Sequence, residues 1–257
     1  MRFSLVLLSI LSLLQACTNN NVAADEGLDR LFDSARLEGS FGLLDNGQGK
    51  FTIHQLGRFK DSTYAPGGSF ALVAGLVGLK TGRLTNERTS YAFGTRGATL
   101  VQALQQPDSA WLAGLVRSIG RDTMQRWLDT LSYGRSRQVP TERFWNDGSV
   151  RLSADEQLGL VKRLYFEQLP FDKRSMRLVR QAMIREQKNL YTLAYHFSEA
   201  PGAGGGKAYW LLGWIEENKH PYPFVLQLSS ANGLQVETMV AFARRLLQQQ
   251  GLGYGKR

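Results

Sequence analysis

Three strand-length apolar segments, Tyr191 to Phe197, Lys207 to Glu216 and Pro223 to Leu228, follow one another late in the chain on short joints. The first joint, Ala200-Pro201-Gly202-Ala203-Gly204-Gly205-Gly206, is dense in the residues that let a backbone reverse. Consecutive strands on such joints form an antiparallel sheet. A second strand signal lies near the start. Gly39 to Asp45 and Lys50 to Ile53 flank Asn46-Gly47, a pair that tolerates the positive φ of a tight hairpin turn. Between the two strand regions the spacing is helical. Ser109 to Ile119, Asp122 to Leu131 and Phe171 to Gln187 carry apolar residues three and four apart, and Ser153-Ala154-Asp155-Glu156 reads as a capping box before another such stretch. Helices are also expected from Leu28, from Gly67-Gly68 through Leu79, and over Val236 to Gln250. The expectation is an α+β fold: one antiparallel sheet flanked by helices, with an all-helical lobe.

The amino terminus is written differently. Met1-Arg2 precedes an unbroken run of twelve apolar and small residues, Phe3 to Leu14. That is too short to cross a bilayer core of about 30 Å, and it matches the apolar region of a signal peptide. Leu14-Gln15-Ala16-Cys17 ends it and resembles a bacterial lipobox, which implies cleavage before Cys17 and diacylation of its sulfur. The organisation expected is a signal peptide over 1–16, a polar tether over 17–26 and a single domain over 27–257. The place implied is the bacterial cell envelope, lipid-anchored on the periplasmic face of the outer membrane. Cys17 is the only cysteine, so no intramolecular disulfide forms. The formal charge of +9 is spread among Asp and Glu without a run of like charges. That distribution gives no nucleic-acid footprint; it suits an anionic polymer or membrane surface.

One segment carries chemistry by its resemblance. Ala65-Pro66-Gly67-Gly68-Ser69-Phe70-Ala71, the apolar stretch to Leu79, and Lys80-Thr81-Gly82-Arg83-Leu84 resemble the nucleophile region of class D (oxacillinase-type) β-lactamases, which reads Pro-x-Ser-Thr-Phe-Lys, a helix, then Glu-Thr-Gly-x-Ile. The likeness continues through Arg121 to Leu128, Leu131-Ser132-Tyr133-Gly134, Phe144-Trp145, Val150 to Ser153, and Ala208 to Glu216, so it spans about Gly39 to Gln250. It implies the serine β-lactamase/transpeptidase fold. In the family a buried lysine, usually carbamylated, takes the proton of the serine nucleophile. Laid over Pro66 and Phe70, that serine falls on Gly68 and that lysine on Ala71. The family's Ser-x-Val is similar to Ser109-Ala110-Trp111, its Tyr-Gly-Asn to Tyr133-Gly134-Arg135, and its Lys-Thr-Gly strand to His196-Phe197-Ser198. The carboxylate-gripping arginine expected between Leu234 and Met239 is not evident.

The resemblance therefore implies a pseudoenzyme that binds a peptidoglycan fragment, a β-lactam-like ligand or an envelope protein. The alternative is a working serine hydrolase with a displaced nucleophile, Ser69 or Ser109, using Tyr133 or His196 as base. Against Ser69 stands the spacing, since a lysine one helical turn on would fall at Leu72. Asp108, Ser109 and His196 supply the residue types of a hydrolytic triad without fixing their distance. Lys80-Thr81-Gly82 spells the strand motif but sits where a helix ends. His54, His196 and His220 have no metal-ligand spacing, and no metal or cofactor is expected.

Overall fold

The computed structural model describes residues 21–253 apart from 95–96, 107, 138 and 140–141. The proposed signal peptide and Cys17 lie outside the described residues. In chain order the first elements are β1 (Val22–Ala23), α1 (Glu26–Ala35), β2 (Glu38–Asp45), β3 (Lys50–His54) and α2 (Leu56–Asp61). A 3-10 turn over Gly67–Phe70 leads into α3 (Ala71–Lys80), followed by α4 (Leu100–Gln105), α5 (Ser109–Ile119) and α6 (Arg121–Leu131). Then come β4 (Ser136–Arg137), β5 (Val150–Arg151), α7 (Ala154–Tyr165) and α8 (Lys173–Met183). The chain closes through β6 (Ile184–Gln187), β7 (Tyr191–Pro201), β8 (Lys207–Glu217), β9 (His220–Ser230) and α9 (Val236–Gln249).

The main sheet runs β1-β3-β2-β9-β8-β7-β6, antiparallel except for the β1–β3 pair. Both faces are covered, which is why β8 and β9 read as continuous apolar runs rather than as an alternation. On one face Trp210, Leu212, Trp214 and Val225 join the helical lobe around α3. On the other, Tyr209, Leu211, Ile215 and Leu226 meet α1 and α9. The period of two along β8 thus sends successive side chains into two different cores. Helix α3 is apolar on every side and buried from Ala71 to Gly78, as a helix at the centre of a lobe must be. The capping box at Ser153 forms as expected: Glu156 N donates to Ser153 Oγ at 3.2 Å and Ser153 N to Glu156 Oε2 at 2.7 Å.

Three sequence expectations are corrected. Residues 17–26 are not a tether throughout, because Val22 and Ala23 pair with Phe51 and Thr52, and the Asp25 carboxylate caps α1. The β2–β3 connection does not turn on Asn46-Gly47; it is a four-residue loop with positive φ at Gly49 and with Gln48 N donating to Asp45 Oδ1. The helix read through Gln187 ends at Met183. Residues Ile184 to Gln187 pair instead with β7, where sheet bonds outweigh the helix preference of Arg, Glu and Gln. Helices α2 and α4, each six residues long, were too short to read from periodicity.

Glycine at position 42 is dictated by packing. A Cβ there would lie 2.4 Å from the Phe59 ring of α2, which approaches the strand backbone closely. Gly42→Val is expected to expel that ring and lower stability by roughly 1–3 kcal/mol. A chemical-denaturation midpoint unchanged from wild type would contradict this packing.

Candidate functional site

The degenerate motif is seated on β7. Gly67 adopts a positive φ of 56° and donates its N–H to Trp145 O at 2.9 Å. A Cβ on it would come 2.2 Å from Glu199 O, so only glycine lets the 3-10 turn lie this close to the strand. At Gly68, a Cβ would stand 3.0 Å from the Ser198 Cβ. Ser198 is wholly buried, and its Oγ has no hydrogen-bond partner. The place where a nucleophile would project is thus faced by the side chain of Ser198. Ala71 is buried as the first residue of α3 and brings no amine.

His196 is wholly buried two residues before Ser198, on the same face of β7. Its Nδ1 lies 2.8 Å from Leu104 O and its Nε2 3.1 Å from Gly68 O. Both neighbours are acceptors, so a neutral ring donates to one and presents a lone pair to the other. Burial is the largest influence and holds the imidazole pKa below its usual value of 6.5; the two carbonyls oppose it, and Arg185 adds to it. Arg185 went unnoticed in sequence because it sits in the segment read as helix. It donates to Tyr195 O and Leu104 O, both at 3.1 Å, and stacks over the Tyr195 ring at 4.7 Å.

The displaced nucleophiles fare differently. Ser69 is fully buried; its Oγ donates to Pro66 O at 2.7 Å and accepts from Gln157 Nε2 at 2.9 Å, so it is a structural hydroxyl. Tyr133 lies beside Ser69 and Gln157 without a well-formed hydrogen bond, and burial above all pushes its phenol pKa well above the usual range. Such a phenol stays protonated and is no base. Ser109 is exposed in the first turn of α5, while Asp108 accepts from Trp111 N at 2.8 Å as the cap of that helix. With Asp108 capping and His196 held between two carbonyls, the residue types of a triad are present without its hydrogen bonds. Trp111 is wholly buried and donates Nε1–H to Ala98 O at 3.1 Å. Arg135 turns away and donates to Lys60 O at 2.6 Å. Lys80 ends α3, and Thr81 donates back to Val77 O at 2.8 Å, so Lys80-Thr81-Gly82 closes a helix. His54 pairs with Asp29 at 2.6 Å and stacks on Phe32, a residue of the α1–α9 core. Among the described residues no group of three or more His, Cys, Asp or Glu is arranged to hold a metal.

No family model matches the chain. Curated relatives do. It is 23% identical over 251 residues to β-lactamase OXA-5 of Pseudomonas aeruginosa, covering 92% of this chain and 93% of that protein. It is 29% identical over 205 residues to the "Probable beta-lactamase YbxI" of Bacillus subtilis (strain 168), covering 71% and 75%. It is 23% identical to the regulatory protein BlaR1 of Bacillus licheniformis, over 88% of this chain but 39% of that protein. Among solved structures, the class D β-lactamase YbXI from Nostoc superposes with a TM-score of 0.81 at 25% identity, over 88% of this chain and 99% of that one. The class D β-lactamase of Sebaldella termitidis gives 0.82 at 19% identity, over 90% and 98%. The α+β architecture, the sheet with its helical lobe and the sequence likeness along most of the chain are those of the class D β-lactamase fold.

Proposed function

We propose that the chain is a catalytically inactive, lipid-anchored envelope protein that uses a class D β-lactamase-like domain to bind a cell-wall fragment, a β-lactam-like ligand or a protein partner. The observation that carries this reading is Gly68: a backbone without a side chain, at the position the resemblance gives to the nucleophile, faced by Ser198. With Ala71 in place of the lysine and a buried imidazole in place of the anchoring ammonium, nucleophile, base and fixed positive charge are absent together. Such groups act as a unit, so none of them is restored by its neighbours. The likeness to BlaR1, a protein named for regulation, is in keeping with a domain of this kind serving a role other than hydrolysis. Cys17, diacylated, holds the domain on the periplasmic face of the outer membrane.

Gly68→Ser alone, and Gly68→Ser combined with Ala71→Lys, are expected to hydrolyse a chromogenic cephalosporin no faster than the native chain, because Ser198 still crowds the new side chain. A burst of acylation by the single variant overturns the reading.

His196 adds a pH test. Its native pKa lies below the unfolded value near 6.5, so below that pH the unfolded chain binds more protons and acidification destabilises the native state. The expected outcome is a native melting temperature that falls from pH 7 to pH 5 more steeply than that of His196→Gln, which itself loses roughly 1–3 kcal/mol of buried hydrogen bonding. Parallel slopes contradict a buried neutral imidazole.

A further inference from the structure

A concavity that touches the degenerate motif only at Ala65 opens where the sheet ends. It encloses about 1070 Å³ beneath the glycine-rich β7–β8 turn, between the start of β2, the end of β9 and the segment Thr63 to Ala65. Four cations line it, Arg36, Arg58, Arg151 and Lys207, against two carboxylates, Glu38 and Asp147. Lys207 is paired with Glu199 at 2.8 Å. The three guanidinium groups are not neutralised in that way. Arg58 donates to Tyr64 Oη at 3.1 Å and Ser229 Oγ at 2.8 Å, and the one carboxylate paired with it among the described residues, the exposed Glu38, is 4.0 Å away. Arg151 donates to the hydroxyl and the carbonyl of Thr63, both neutral. Arg36, held in the left-handed region at φ 52° just after α1, is exposed, and among the described residues its side chain enters no hydrogen bond or ion pair. The neutral contacts fix the forks of Arg58 and Arg151 in place without cancelling their charge. Their Nε–Nη2 edges are taken by these contacts, which leaves Nη1 and the second Nη2 hydrogen of each, with hydroxyls beside them, to meet a carboxylate.

We infer that this pocket is a binding site for a carboxylate-bearing fragment of cell-wall chemistry, whether the carboxylate belongs to a sugar acid or to a short peptide. The inference rests on the envelope reading above, and the topology suits it. β1 meets β3 at Phe51, beside the β2–β3 loop, whereas the pocket lies at Glu38 and Ser229. Phe51 pairs with Leu44, six residues along β2 from Glu38, so the two places lie about 20 Å apart along the strand. Phe51 N donates to Asn21 O, so the segment that carries the proposed anchor enters the described fold at the end of the sheet remote from the pocket.

The test is titration of the domain, residues 21–257, by calorimetry with three probes: N-acetylmuramic acid, D-alanyl-D-alanine and the neutral disaccharide of N-acetylglucosamine. Binding of at least one carboxylate probe but not of the neutral sugar is expected, and comparison of the two carboxylates assigns the source. Arg36→Gln with Arg151→Gln is expected to weaken that binding about tenfold or more. Arg36→Gln alone, which removes no contact of the folded chain, is expected to weaken it measurably with an unchanged melting temperature. Absence of binding by both carboxylates at millimolar concentration, equal binding of the neutral sugar, or affinity indifferent to the arginine variants overturns the site. Binding that is instead lost in His196→Gln places the ligand at the β7 motif, overturning this site while leaving the inactive-binder reading intact; acylation by a penicillin sinks that reading alone.

Discussion

The seat of the Gly67–Phe70 turn on β7 is the contact on which the rest of the molecule depends. Gly67 approaches Glu199 O more closely than any side-chain-bearing residue can, and its N–H reaches across to Trp145 O. One turn of chain thus joins the sheet to the segment before α7, and α3 leaves from it straight into the core of the helical lobe. His196 extends the joint: one ring contacts the carbonyl of Gly68 in the turn and that of Leu104 in α4. In the family that this chain resembles, a strand and a turn meeting here hold reacting groups. Here Ser198, the Gly68 backbone and a buried imidazole meet at that place.

Two buried hydroxyls stand unpaired at this joint. Ser198 keeps a buried hydroxyl with no partner, and Tyr133 keeps a buried phenol without a well-formed hydrogen bond. Unpaired buried hydroxyls destabilise a fold by about 1–3 kcal/mol each. Ser198 faces Gly68 and Tyr133 lies beside Ser69, so both stand next to the motif, while a third such hydroxyl, Ser40, lies on β2. Ser69 shows the opposite case, a hydroxyl satisfied twice over and therefore unavailable as a nucleophile.

Much of the fold was legible because its determinants are local. Ser153 and Glu156 cap each other three residues apart, and the closing helix and three late strands begin and end within a few residues of their sequence limits. What escaped depends on remote partners. Val22-Ala23 is a strand only because Phe51-Thr52 lies alongside, and Ile184 to Gln187 leaves the helical path only because β7 offers a free edge. In the site, Gly68 and Ala71 were legible by resemblance. That His196 bridges Gly68 and Leu104 was not, since these residues are 128 and 92 positions apart from it. The arginine-lined pocket was invisible for the same reason, being assembled from separate stretches of chain that only the sheet end brings together.

The central claim is that no side chain at the β7 motif forms an acyl-enzyme. Intact-protein mass spectrometry of the native domain after incubation with a reactive penicillin tests it most directly. An unshifted mass is expected. A stoichiometric adduct, mapped to a single serine, would contradict it and make the chain an enzyme with a relocated nucleophile.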